Sequence, residues 1–214
     1  MPNQKLTTFY IVRHGQTDWN AQKIIQGQLD IPLNETGEKQ AKEVAEKFKN
    51  IKFDLVFSSD LLRAKRTAEI ITLEHKLAVE TTNVLRERAF GEMEGKSSKV
   101  FFAYRDLLNA LTHEERQHKK PYENFESDHE LTTRVITFLR ETAITHQGKN
   151  ILVATHGGIL RMILLHLGHF DYKTIEKYMF DNLSYIKLTS DGVDFFVEET
   201  SGIIKVEDVE QHNF

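Results

Sequence analysis

The chain reads as an α/β protein: a three-layer α/β/α sandwich around a mostly parallel, mixed sheet. Short apolar runs at 8–12, 54–57 and 150–155 alternate with stretches of helical periodicity, the pattern of strands joined by crossover helices. Two further extended segments, 184–189 and 193–197, flank Asp191-Gly192, a hairpin signal that adds antiparallel pairing to the sheet. A length of 214 residues suits one domain with one sizeable core. Residues 1–214 are therefore expected as a single domain, with an inserted lid at 96–130 and a loose, charge-rich tail at 203–214.

Each element has a local reason. Thr8 to Val12 is apolar and short, a buried strand. Residues 35–49 carry Ala41, Val44, Ala45 and Phe48 at the i, i+3, i+4, i+7 spacing of one helix face. The run from Asp54 to Phe57 is followed by Ser58-Ser59-Asp60, any of which can cap a helix over 61–72. Residues 77–86 look extended, and 99–111 helical. Ser127 and Glu130 form a capping box opening a helix to His146, with Leu131, Val135, Phe138 and Leu139 on its buried face. Asn150 to Thr155 is an almost wholly apolar strand, after which His156-Gly157-Gly158 opens another helix. A further helix is expected over 171–179.

Composition excludes several classes of function. A net charge of −4 argues against nucleic-acid or anionic-membrane partners, which favour a basic surface. With no cysteine, there is no disulfide framework, thiolate nucleophile or cysteine metal site. The start, Met1-Pro2-Asn3-Gln4-Lys5, lacks the apolar stretch of a secretory signal, and no segment reaches membrane-spanning length. A cytoplasmic location is the expectation. Oligomeric state is not legible. His166 and His169 lack acidic or cysteine partners at ligand spacing, so no zinc site is expected there. No glycine-rich phosphate loop of the nucleotide-binding types occurs.

The residues that carry chemistry fall where predicted strands end, the place where open α/β sheets bind ligands. Arg13-His14-Gly15 follows the first strand, Ser58 to Arg63 the second, and His156-Gly157-Gly158 the strand at 150–155. The glycine lets the backbone turn tightly. Arginine offers a planar fork of donors that matches a phosphate, and an imidazole can attack phosphorus and carry the phosphoryl group. Singly these pieces are weak: His156 alone is more often structural, and Arg63 or Glu87 alone an ordinary surface charge. Their convergence is the argument.

The order Val12-Arg13-His14-Gly15-Gln16-Thr17, Asn20, Gly27, Pro32-Leu33, Thr36-Gly37, Gln40-Ala41, Ser58-Ser59, Leu62-Arg63, Thr67-Ala68, Leu85-x-Glu87, Gly91, Glu94-Gly95 and His156-Gly157-Gly158 resembles the histidine phosphatase superfamily, in its phosphoglycerate-mutase-like branch, over residues 8–189. Within it, Lys23 to Gln28 and Leu85 to Arg88 look most like fructose-2,6-bisphosphatase-type enzymes of the TIGAR kind, and also like broad-specificity bacterial phosphatases. The resemblance implies a metal-independent, cofactor-free phosphatase acting on a small phosphorylated metabolite through a phosphohistidine. It makes His14 the nucleophile, with Arg13, Arg63 and His156 around the phosphoryl group and Glu87 as general acid. Backbone N–H groups after His156 would add donors. Gly15, Asn20, Gln26, Gly27, Gly157 and Asn182 would line the phosphate or substrate.

The chain also departs from the family pattern. Phe125-Glu126-Ser127 replaces a Gly-Glu-Ser common in members, putting in doubt any backbone approach that the glycine permits. Gly158 stands where mutases tend to have asparagine, which tilts the reading from mutase towards phosphatase. The cationic stretch Arg116 to Pro121 is short compared with a mutase lid. It suits a solvated loop and a grip on a second phosphate equally well. Alternatives to hydrolysis are a cofactor-dependent phosphoglycerate mutase and a catalytically silent phosphate-binding module.

Overall fold

The structure, a computed structural model, describes residues 5–206. Six strands form one sheet: β1 (Thr7–Arg13), β2 (Leu55–Ser59), β3 (Glu80–Thr82), β4 (Asn150–Thr155), β5 (Tyr178–Ser190) and β6 (Phe195–Lys205), in the spatial order β3-β2-β4-β1-β5-β6. The pairs β3–β2, β2–β4 and β4–β1 are parallel, while β1–β5 and β5–β6 are antiparallel. The expected mixed, mostly parallel sheet is what forms.

Alternation along the central strands builds the three layers, because successive side chains leave opposite faces. Phe9, Ile11, Ile151 and Val153 face α6 (Asp128–Thr145) and α7 (Gly157–His166). Val12, Val56, Leu152 and Ala154 face α2 (Glu35–Phe48) and α3 (Leu62–Ile71). β1 and β4 are thus covered on both sides, which is why their sequences are nearly continuous apolar runs. The remaining α-helices among the described residues are α4 (Lys99–Leu108), as long as α3, and the shorter α1 (Asp18–Ala21), α5 (His113–His118) and α8 (Tyr172–Ile175). Among the described residues no helix is long and apolar enough to cross a membrane.

Several boundaries differ from the sequence expectation for identifiable reasons. None of Ser58, Ser59 and Asp60 caps α3 through its side chain. The N-cap is Leu61, and Asp30 accepts from the Leu62 N–H at 2.7 Å from 32 residues upstream. Asp60 is engaged instead by Arg86, with Nε and Nη2 each 2.7 Å from a carboxylate oxygen. The helix expected over 171–179 stops after one turn, since Arg161 takes the carbonyls of Ile175 and Tyr178, at 2.8 and 3.0 Å, and β5 begins at Tyr178. β6 runs to Lys205, so residues 203–205 of the expected tail are strand; residues 207–214 lie outside the described residues. The extended stretch 77–86 reduces to the three residues of β3 and a 3-10 turn at Asn83–Leu85.

Residues 96–130 hold α4 and α5 and pack with Ile25, Phe90 and Met93 into a small, largely aromatic cluster separate from the two faces of the sheet. Phe125, the residue in place of the family glycine, is buried there with Ile25 and Met93, against Phe90, Phe101 and Tyr104. The substitution therefore supplies an apolar plug where a backbone approach was in question. Arg116 does not lie in a solvated loop. It is buried, 2.8 Å from Glu176 and stacked 4.1 Å from the Tyr172 ring centroid.

Candidate active site

The parallel register of β1 and β4 brings Arg13 opposite Thr155, so the residues that follow, His14 and His156, emerge side by side at the carboxyl edge. Their ring centroids are 5.2 Å apart, and both side chains are buried. Gly15 follows His14 because of crowding. A Cβ there would stand 2.5 Å from the Gly37 carbonyl oxygen, and one on Gly37 would stand 2.1 Å from that of Gln16. The two glycines let the start of α2 press against the loop, while Thr67 accepts from the Gly15 N–H at 3.1 Å.

His14 Nδ1 lies 2.7 Å from the carbonyl oxygen of Gly15. A carbonyl only accepts, so Nδ1 carries the proton, and in the neutral ring the lone pair is on Nε2. Burial holds the His14 pKa well below its usual value, and the charges of Arg63 and Arg13 push it further down. His156 is depressed in the same way, by burial first and then by Arg63 and His14. Its Nε2 is 2.9 Å from Ser59 Oγ, which itself accepts from the Leu61 N–H at 3.3 Å. The serine proton is thus free to go to Nε2, which leaves His156 Nδ1 as a buried donor with no protein partner. Ser59 is therefore the orienting group of the second histidine, and not the helix cap its sequence position suggested.

Two arginines complete the buried surroundings. Arg63 is fully buried on α3, and its Nη groups donate to Gly27 and Leu29 carbonyls at 2.7 and 2.8 Å. Burial pushes its pKa down to about 10, so it stays cationic at neutral pH. Arg13 Nη1 donates to the Phe180 carbonyl, and its pKa too is lowered by burial. In both arginines Nε is buried without a partner. Both terminal nitrogens of Arg63 and Nη1 of Arg13 fix the guanidinium planes, and the inner nitrogens have no protein partner.

Glu87 reaches the same place from the loop after β3. Its Oε2 accepts from the Gly158 N–H at 3.0 Å and its Oε1 from the Arg88 N–H at 2.8 Å. One of the α7 N-terminal donors expected to face a phosphate is therefore taken by this carboxylate. A Cβ at position 158 would stand 2.3 Å from Glu87 Oε1, so the glycine is what lets the carboxylate sit there, and an asparagine would displace it. The loop itself is pinned: Thr155 donates to the Leu85 carbonyl at 2.8 Å, and Arg134 and Gln28 each donate to that of Glu87 at 3.3 Å.

Arg13, Asn20, Glu87, Gly157, Gly158 and Asn182 line one open cleft of roughly 680 Å3. Asn182 donates to the His14 carbonyl at 3.1 Å and to Asn20 Oδ1 at 3.3 Å, tying β5 to the loop after β1. His14, Gly15, Arg63 and His156 lie beneath this lining, and Gln26 and Gly27 are set back from it as well. Gln26 is buried with its side-chain oxygen unpartnered, and Gly27, at φ +54°, offers its carbonyl to Arg63. Arg161, which the sequence reading did not single out, lines the cleft as well. It lies five residues after the second histidine, on the helix that histidine opens, and that closeness in sequence was the available signal. Together the groups can present an unprotonated ring nitrogen to an electrophile, hold an oxyanion on several fixed donors, and place a carboxyl group beside both.

The profile of the histidine phosphatase superfamily (branch 1) matches residues 9–201. The chain is 36% identical over 169 residues to an uncharacterized phosphatase, PhoE, of Bacillus subtilis (strain 168), covering 78% of this chain and 80% of that one. It is 36% identical over 174 residues to a metal-independent phosphoserine phosphatase of Arabidopsis thaliana, covering 76% and 69%. The crystal structure of phosphoglycerate mutase from Bacillus anthracis str. Sterne superposes with a TM-score of 0.79 at 25% identity, covering 99% of both chains. The chain belongs to branch 1 of the histidine phosphatase superfamily.

Proposed function

We propose that this phosphatase hydrolyses a small phosphorylated metabolite through a phosphohistidine at His14, without a metal ion. One observation carries the reading. A buried neutral imidazole with its lone pair on Nε2 sits among three buried donors, Arg13 Nε, Arg63 Nε and His156 Nδ1, that no protein group satisfies. Buried donors without partners are costly, and a tetrahedral oxyanion supplies partners for all three.

In this mechanism His14 Nε2 attacks phosphorus. Arg13, Arg63 and His156 hold the equatorial oxygens, where phosphoryl transfer concentrates negative charge. Glu87 gives its proton to the leaving oxygen and then takes one from the water that cleaves the phosphohistidine. Gly157 leaves room for Arg13, since a Cβ there would stand 3.2 Å from Arg13 Nε. Asn182 holds the His14 carbonyl and is itself tied to Asn20, Gly27 supports Arg63 through its carbonyl, and the Gln26 side chain, with an unpartnered oxygen, lies next to it in the chain. The cationic donors do the work that a divalent ion does elsewhere, which supports metal independence, as does the name of the plant relative.

Residues 96–130 act as the lid over the cleft. In this reading the enzyme works in the cytoplasm, where phosphorylated metabolites are retained by their charge. Fructose-2,6-bisphosphate remains a substrate class only through the likeness at Lys23 to Gln28 and Leu85 to Arg88, and phosphoserine through the relative above. The mutase alternative draws on the Bacillus anthracis structure, but Gly158 and the carboxylate it admits favour release to water.

Acid-sensitive labelling tests the reading. Rapid quench with 32P-labelled substrate is expected to trap acid-labile phosphate on the native chain and none on His14→Ala, which should also lose hydrolysis of p-nitrophenyl phosphate. Full turnover by His14→Ala would refute it. Rapid isomerisation of 3-phosphoglycerate primed with bisphosphoglycerate, with little free phosphate, would favour the mutase.

A further inference from the structure

Glu176 occupies a position that the proposed chemistry does not use. It lies just after α8, and its Oε1 accepts from Arg116 Nη2 at 2.8 Å, with Arg105 Nε at 3.8 Å. Its Oε2 accepts from Asn109 Nδ2 at 3.4 Å. Arg161 stands beside it, stacked 4.7 Å from the Phe180 ring centroid, with its Nη donors on main-chain carbonyls and no carboxylate of its own among the ion pairs of the described residues. One carboxylate thus pairs with guanidinium groups from α4 and α5, while that of Arg161, on α7 and lining the same space, is held only by main-chain carbonyls.

These groups border a second space. A cavity of about 110 Å3 lies under α4 and α5 and shares Phe102, Arg105, Arg161 and Glu176 with the catalytic cleft, so those four residues form the partition between the two. On the cavity side, Arg105 Nε, Arg116 Nε and Tyr104 Oη are buried without hydrogen-bond partners. The other acid of the lining, Asp128, is already committed to Arg88 at 2.5 Å. Burial pushes the Arg161 pKa down to about 10, with the charge of Arg105 as the next cause. Such a cavity is short of negative charge and rich in fixed donors, and Arg105, Arg161 and Glu176 border both it and the catalytic cleft. Its aromatic walls suit an apolar stem, and its size suits a few heavy atoms.

We propose that Arg105, Arg116 and Arg161 form a second anion subsite, and that Glu176 is its built-in competitor and thereby a specificity-determining residue. Phosphomonoesters with a carboxylate or second phosphate on a short chain displace Glu176 and are selected; those with neutral tails are not. The proposal rests on the phosphatase reading only for the position of the scissile group.

Three matched probes test it: butyl phosphate, 4-phosphonooxybutanoate and butane-1,4-diyl bisphosphate. On the native enzyme, kcat/KM should favour an anion-tailed ester over butyl phosphate by at least about ten-fold, and whichever tail gains more identifies the anion. Glu176→Gln should lower KM for the tailed esters about ten-fold further relative to butyl phosphate. Arg105→Gln, at a side chain one quarter exposed, should erase the preference. The same order of affinities, read by calorimetry on His14→Ala, keeps the test independent of turnover and separates its failure from failure of the hydrolytic mechanism. Equal affinity of His14→Ala for all three probes would overturn the subsite. Glu176→Gln shifting all three alike, with a lowered Tm, would make Glu176 a structural latch and overturn its role in selection.

Discussion

Acidification from about pH 7.5 to about pH 5 should cost the fold up to about 4 kcal/mol through two side chains. His14 and His156 are buried and held well below the ordinary value of 6.5, by burial first and by Arg63 next. As the pH falls through 6.5, both imidazoles of the unfolded chain take up protons and those of the folded chain do not. The unfolded state then binds more protons, so stability falls with falling pH until the folded pKa values are reached. If the rings stay neutral in the fold down to about pH 5, each contributes a loss of about 2 kcal/mol over that interval. Asp54 and Asp60, whose pKa values are lowered from 3.8 by hydrogen bonds, lose their contributions mainly below this window. Urea unfolding in phosphate-free buffer at the two pH values measures the effect, and His14→Asn should shrink the pH-dependent loss by about 2 kcal/mol. Equal stability at the two pH values, or a His14 ring resonance that titrates near 6.5, would refute the reasoning.

Two substitutions probe the supports of the site. Gly158→Ala places a Cβ 2.3 Å from Glu87 Oε1, so the carboxylate must move; turnover of esters with poor leaving groups should fall up to roughly 100-fold, and that of p-nitrophenyl phosphate less. Equal losses for both would argue against an acid role for Glu87. Ser59→Ala removes the hydroxyl that orients His156 and should lower kcat about ten-fold with little change in KM; an unchanged kcat would mean that the ring is held by packing alone.

The sequence is informative where structure follows from neighbours along the chain. The α2 face at Ala41, Val44 and Phe48 and the capping box of Ser127 and Glu130 are local patterns, and both appear as expected. So do the apolar runs of β1 and β4, because a doubly covered strand has no polar face to confuse the pattern. The failures all come from partners distant in sequence. Asp30 satisfies the start of α3, Arg161 ends α8, and Ser59 turns from the helix to the histidine that follows another strand. Gly158 was legible as a departure from a family habit, but only the Glu87 carboxylate in the space beside it explains the departure. Arg161 carries no signal of its own in the sequence, and only the return of β5 makes it part of a wall.

The buried cations around His14 carry two requirements of the proposed reaction at once. A nucleophilic imidazole must be neutral, and a phosphoryl group in transit must be met by positive charge. In water these conflict with nothing, but in a buried site each positive group has to be held against the cost of desolvation. Arg63 meets that cost through the Gly27 and Leu29 carbonyls, and Arg13 through that of Phe180. The same two charges lower the His14 pKa and leave Nε donors facing outward from the protein's own hydrogen bonds. When Nε2 bonds to phosphorus, the ring gains positive character, and the Gly15 carbonyl on Nδ1–H is the dipole placed to accept it. Neutrality before attack and stabilisation after it therefore come from one fixed set of groups, and neither step requires the site to rearrange.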